Sequence, residues 1–289
     1  MLVLALLCAP ARSSAQGDDE EPTALWDESW GRSGIPNYTL IGAAAAVAVV
    51  DLILRSNTDR GNRNRNDFDE AVRSALRLPD QDQRLLVRDF SDGLLTLMTS
   101  APLFDALIFA AWQHESEDTA LQMILMHAEV IAITLAFQTL ANVLLVRERP
   151  YGRTCGGGGP DDLAEDSFYC DSPDRYSSFF SGHTSQAFAS AAVLCSFHMN
   201  MPLLSSGPEN ALVPCILGFV AASTTGLFRV LSDMHYASDV IVGAAAGTSI
   251  GFLVPWLFHF NPRNQSADDD DVQVTFVPTP TGIAVAGFF

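Results

Sequence analysis

The sequence predicts an all-α fold, a six-helix transmembrane bundle followed by a short C-terminal β-hairpin tail. Three observations carry that prediction. Apolar residues gather in six blocks, Tyr38–Leu54, Leu94–Trp112, Met123–Val146, Thr184–Met199, Ala211–Phe228 and Val240–Phe260. Each is near the roughly 17 to 25 residues that a helix needs to cross a bilayer, the fourth being short. The blocks are rich in Ala, Gly, Ser and Thr, which lets helices pack closely. Finally, the closing run VQVTFVPTPTGIAVAGFF holds Pro278 and Pro280 in a stretch too polar to span, and reads as two β-leaning segments around a Pro/Gly turn. The hydrophobic share of the 289 residues, 48%, is ordinary for a globular chain, so distribution and not composition points to the membrane.

Taken in order, the chain divides into four stretches. Residues 1–15 have a short apolar run followed by small residues around Ser13 and Ala15, the shape of a signal peptide, although no basic residue precedes the run. Residues 16–36 form an acidic lead-in, and 37–260 the helical membrane domain. Residues 261–289, with Asp268 to Asp271 at their start, form the acidic, β-leaning tail. Between the first two apolar blocks, Arg55 to Asp89 holds eight Arg and seven acidic residues, a solvated loop leading to a short amphipathic helix at the membrane surface. Tyr151 to Ser178 is a long interruption with four glycines at 156–159 and cysteines at 155 and 170. No Gly-Lys-Ser/Thr follows those glycines, so they do not make a P-loop. Within the apolar blocks, Asp51, Asp105, His127, Glu129 and Gln138 read as groups hydrogen-bonded inside the bundle. His127 and Glu129 are two apart, so a helix does not present them together as a metal pair.

Charge excludes one class of partner. The formal net charge is −18, and no basic stripe offsets it, which argues against nucleic acid. Every one of the 16 basic residues is Arg; the chain contains no Lys.

The candidate chemistry is concentrated in RVLSDMHYASD, Arg229 to Asp239. On a helix, His235 and Asp239 lie one turn apart on one face. A carboxylate so placed can accept one imidazole N–H and leave the other ring nitrogen free as a nucleophile. Arg229 can meet an oxyanion. Ordinary i,i+4 polar pairing would look the same, so this stretch alone decides nothing. Two pieces upstream add to it: Arg149-Pro150 closes one apolar block, and Ser181-Gly182-His183 opens the next.

With those three pieces in order, about Val130 to Phe258 resembles the type 2 phosphatidic acid phosphatase family, which also includes vanadium haloperoxidases and bacterial acid phosphatases. The family pattern K-x6-R-P, P-S-G-H and S-R-x5-H-x3-D stands here as NVLLVRERP, FSGH and FRVLSDMHYASD. The resemblance implies one catalytic face built from all three motifs. His235 would be the nucleophile that forms a phosphohistidine, Asp239 its orienting partner, and His183 the general acid. Arg149, Arg229 and the N–H groups of Ser181 and Gly182 would hold phosphate oxygens. Arg147 would add a third arginine contact or else anchor the interface. Asn142 replaces the motif lysine and leaves only a neutral donor, Phe180 replaces Pro, and Phe228 replaces Ser.

The expected function is a membrane phosphatase acting on a lipid phosphate monoester or lipid pyrophosphate, with no metal and no cofactor. Its partners would be a phospholipid or isoprenoid phosphate and the bilayer itself. The alternatives are a vanadium-dependent haloperoxidase, with vanadate as cofactor, and a catalytically inactive lipid-binding homologue, for which Asn142 is the strongest argument. The expected location is a bacterial inner membrane with the motifs facing the periplasm, where Cys155 and Cys170 could pair. The positive-inside rule points the other way, because the motif face carries most of the Arg.

Overall fold

The computed structural model describes residues 25–54, 66–157, 163, 167–261, 273–279 and 282–288. The signal-peptide reading of 1–15, most of the acidic lead-in and the loop at 55–65 lie outside the described residues. In chain order the elements are α1 (Ile35–Leu54), α2 (Asp67–Leu76), α3 (Gln81–Phe104), α4 (Glu117–Leu145), α5 (Phe168–Asp171), α6 (Gly182–Asn200), α7 (Glu209–Leu231) and α8 (Ala237–Pro255). Strands β1 (Gln273–Thr279) and β2 (Gly282–Phe288) pair antiparallel, Gln273 opposite Phe288. α3 continues as a π-helix over Asp105–Gln113, and α8 over Trp256–Phe260. Both wide turns lie just past a proline, Pro102 and Pro255, whose missing N–H and ring clash disturb the regular ladder.

Five of the six apolar blocks each fall within a helical stretch of their own, and the third runs one residue past the end of α4, to Val146. Four helical stretches, Gln81–Gln113, Glu117–Leu145, Glu209–Leu231 and Ala237–Phe260, are long and apolar enough to cross a membrane. In α1 the described apolar stretch is shorter, Ile35–Val49. α6 is not among the four, and its surroundings explain why it need not be: it is the central helix, with Ala187, Ala189, Ala191, Val193 and Phe197 all fully buried. A helix wrapped on every side by other helices can carry Ser185, Ser190 and Ser196 without meeting lipid. The outer helices show the opposite pattern, with Leu97, Leu144, Leu217 and Ile241 exposed, as suits a surface that faces hydrocarbon.

The packing of α8 on α6 sets the site. Gly243, Gly247 and Gly251 line one stripe of α8, and a Cβ at these positions would lie 2.8, 2.1 and 2.5 Å from the carbonyl oxygens of Ser181, Ser185 and Ala189. Only hydrogen in place of a side chain permits that approach. It brings the start of α8, which carries Asp239, beside the start of α6, which carries His183.

α2 is amphipathic as expected, but its polar face is turned inward. Asp69 is fully buried, whereas Phe68 and Leu76 are 53% and 41% exposed. Asp69 accepts from the backbone N–H and hydroxyl of Ser238 and from Arg147. Arg73 and Arg77 both bind Asp233, and Arg153 reaches Glu70. The helix therefore clamps the motif loops and leaves its apolar side outward.

Two disulfides are formed. Cys155–Cys170 ties the long motif-side loop, and Cys195–Cys215 joins α6 to α7.

Candidate active site

The ends of four helices meet at one end of the bundle: the C-termini of α4 and α7 and the N-termini of α6 and α8. α4 stops at Val146, a β-branched residue in a left-handed conformation (φ 39°), which turns the chain sharply into Arg147. Arg229 ends α7. Its carbonyl receives the N–H groups of Met234 and His235, closing a turn in which Asp233 is also left-handed (φ 62°). The carboxylate of Asp233, held by Arg73 and Arg77, pins that turn from outside.

His235 is 2% exposed. Its Nδ1 lies 2.8 Å from the carbonyl oxygen of Ser178, to which it can donate. Nε2 then carries the lone pair, and among the described residues nothing hydrogen-bonds to it. Asp239 was expected to be the direct partner of the imidazole, yet its carboxylate is 3.8 Å from Nδ1, beyond hydrogen-bond range. The reason is competition. Its Oδ2 already accepts the Ser178 hydroxyl at 2.6 Å and the Tyr236 N–H at 3.0 Å, and its Oδ1 accepts from Arg147. Asp239 is thus linked to His235 through Ser178. That serine is fully buried; it also donates its N–H to the Arg147 carbonyl, and it is the hub that sequence reading missed. Burial first, and the nearby Arg149 charge second, push the His235 imidazole down to about 4, so it is neutral at physiological pH.

The arginines divide into two kinds. Arg147 spends its terminal nitrogens on Asp69, Asp239 and Ser238, and its guanidinium lies over the Tyr236 ring at 4.4 Å. It is engaged within the protein and clasps α2 to the start of α8. Burial works against the charge of Asp69, but the bonds from Ser238, Arg147 and Asn66 hold that carboxyl below the usual carboxylate range. Arg149 is the other kind. Its Nε donates to the Asp174 carbonyl, while its terminal nitrogens carry no hydrogen bond among the described residues. Its charge acts on both His183 and His235. Arg229, 3% exposed, donates Nε to Ser91 at 2.9 Å and a terminal nitrogen to Asp92.

Ser181 caps α6, its hydroxyl accepting from Thr184, and its own N–H is taken by the Asp239 carbonyl. Gly182 and His183 form the first turn of α6, where free N–H groups and the helix dipole favour an anion. His183 Nε2 faces Asp92 Oδ1 at 3.0 Å. Asn142, at the position of the expected lysine, is 4% exposed, and neither atom of its carboxamide has a hydrogen-bond partner among the described residues. No group of three or more His, Cys, Asp or Glu suited to a metal ion occurs among the described residues.

Ser91 and Asp92 on α3 were not foreseen as part of this end of the bundle. The amphipathic helix just before them, read as lying on the membrane surface, likewise supplies partners of the motif loops through Asp69, Glu70, Arg73 and Arg77.

Helices of membrane length, with a cluster of His and Arg at one end of the bundle, suit an integral membrane protein. The PAP2 superfamily model matches residues 124–263. The chain is 39% identical to the lipid A 1-phosphatase of Porphyromonas gingivalis over 80 residues, 28% of this chain. That match covers 16% of the relative's length. A crystal structure described as the first transmembrane PAP2 type phosphatidylglycerolphosphate phosphatase, from Bacillus subtilis, aligns over 76% of this chain and 94% of that one. The identity is 21% and the TM-score 0.45.

Proposed function

We propose that this protein is a membrane phosphatase that hydrolyses a lipid phosphate monoester or lipid pyrophosphate through a phosphohistidine. The observation that carries the reading is the state of His235: buried, neutral, held at Nδ1 by a carbonyl, and open at Nε2 beside arginine. A neutral imidazole fixed in that tautomer is a competent nucleophile. Nε2 would attack phosphorus, forming an N–P bond as the bond to the lipid oxygen breaks. His183 would give its proton to the departing oxygen. In the second half, water would attack phosphorus, the N–P bond would break, and His183 would take the water's proton. Arg149, Arg229 and the N–H groups at the start of α6 would hold the non-bridging oxygens, whose charge rearranges in the transition state. The carboxamide of Asn142, buried and unpartnered, suits a neutral donor to the same group in place of a lysine.

The open end of a six-helix bundle can take a head group while its chains stay in lipid, which favours lipid substrates. Lipid A phosphates and phosphatidylglycerol phosphate, named for the relatives above, are the first to try. Phosphate release from a panel of those two, phosphatidate and undecaprenyl pyrophosphate, in detergent or proteoliposomes, tests the reading. Activity on at least one, inhibited by vanadate and indifferent to chelator, is expected. Inactivity on all of them, with bromide oxidation by peroxide in the presence of vanadate, would move the chain to the haloperoxidase alternative.

Two disulfides, one of them in the motif-side loop, favour an oxidising compartment and so a periplasmic site. Impermeant maleimide on intact cells before and after reduction tests this. Free Cys155 and Cys170 thiols, reachable only after lysis, would place the motifs in the cytoplasm.

A further inference from the structure

Asp92 is a negative charge in a cradle otherwise built for an anion. It lies on α3, outside every motif, and its single oxygen Oδ1 faces both His183 Nε2, at 3.0 Å, and a terminal nitrogen of Arg229. Its neighbour Ser91 is fixed and fully buried, donating to the Thr225 carbonyl and accepting from Arg229 Nε. Asp92 itself is not fixed in this way. Its side chain is 50% exposed, and among the described residues its carboxylate has no further partner. One oxygen shared between an imidazole and a guanidinium is the bonding that a phosphoryl oxygen would need there. A phosphate and this carboxylate cannot occupy those donors together, because like charges at contact repel.

We propose that Asp92 is an internal competing anion that admits dianionic phosphomonoesters to the cradle and keeps out monoanionic phosphodiesters. The proposal rests on the phosphatase reading and sharpens its substrate class. The need arises at a bilayer surface, where phosphodiester head groups vastly outnumber any phosphomonoester. A diester head group carries one negative charge, as the carboxylate does, and gains no more from Arg229 and Arg149 than the carboxylate already has. The carboxylate is tethered, so its effective concentration at the cradle is in the mM range or higher and the diester loses. A terminal phosphate with two charges gains about twice the attraction and displaces Asp92 towards solvent, a route left open by its exposure. Selectivity thus comes from a repulsive element against the wrong ligand, in addition to the donors that bind the right one.

The test uses the full chain in detergent, wild type against Asp92→Asn and Asp92→Ala, with thermal melting to verify folding. Two measurements are needed: calorimetric binding of inorganic phosphate, and binding of short-chain phosphatidylglycerol as the diester probe. Both variants should bind the diester at least about tenfold more tightly than wild type, with a smaller gain for phosphate, so that discrimination between the two falls. The same variants should become inhibited by the diester during hydrolysis of an aryl phosphate. Unchanged diester binding alongside a lower kcat would overturn the proposal and leave Asp92 as a positioning residue for His183. Phosphate binding by neither wild type nor variants would remove the anion cradle itself, and the phosphatase reading with it.

Discussion

Histidine meets carboxylate at both ends of this bundle, with opposite results. At the far end, His198 places Nε2 2.8 Å from Asp105 and Nδ1 3.3 Å from Asn210. His259 likewise places Nε2 3.1 Å from Glu129 and Nδ1 3.0 Å from the Gly31 carbonyl. Both ring nitrogens of each are used, and both side chains are essentially without exposure. At the motif end, His235 uses one nitrogen and His183 has only Asp92, while arginines stand near both. An acidic neighbour is common to all four, whereas His183 alone is partly exposed, its side chain at 34%. What sets the motif end apart is an uncommitted ring nitrogen beside cations.

The largest expected effect breaks the comparison at the motif end. His235→Ala should remove activity on every substrate, a loss of about 10³-fold or more in kcat/KM, with little change in thermal stability. His183→Ala should cost about 10²- to 10⁴-fold on a lipid monoester and less on an aryl phosphate, whose leaving group needs less help from an acid. Steady-state phosphate release on both substrates separates the two roles. At the far end the expectation reverses. His259→Ala takes from the buried Glu129 its imidazole partner and leaves it the Asn37 carboxamide, so it should destabilise the fold by about 3 kcal/mol while kcat of the surviving protein holds. A lower melting temperature in detergent with undiminished specific activity would bear that out; a catalytic defect would dissolve the distinction between the two ends.

Ser178→Ala sharpens the claim that Asp239 works through a serine. Removing a hydroxyl bond to a buried carboxylate should cost roughly 1.5 to 3 kcal/mol, shared between stability and kcat, and Ser178→Thr should restore part of it. If Asp239 acted on His235 directly, Ser178→Ala would be almost silent. The smallest effect is in pH. The folded pKa of His235 is depressed from 6.5 to about 4, so its stabilising contribution is fully present above 6.5 and is lost as pH falls towards 4. Melting temperature measured across that window should decline less steeply in His235→Asn than in wild type.

Much of this was legible in local pattern. Arg149-Pro150, Ser181-Gly182-His183 and Arg229 to Asp239 all sit at helix ends, because Pro, a Ser cap and a short turn are themselves helix-boundary signals. The six apolar blocks marked their helices for the same reason. What local pattern could not carry was pairing across the chain. Asp69 and Ser238 are 169 residues apart, and Arg73 and Asp233 are 160 apart. Read singly, such charges look like solvated loop residues. Asp239 shows the finer limit: i,i+4 spacing places it near His235, but a carbonyl from another loop takes the shorter contact. Cys195 and Cys215 were likewise unreadable as a pair until α6 and α7 were packed together.

The central claim is that His235 attacks phosphorus through Nε2. Its most direct test is to react the purified protein with a radiolabelled phosphomonoester, quench in alkaline detergent, and locate the label by peptide mapping. The account predicts label on His235 that is stable to base and labile to acid, more of it in His183→Ala turning over an aryl phosphate, and none in His235→Ala. Label on another residue, or full turnover by His235→Ala, would contradict it.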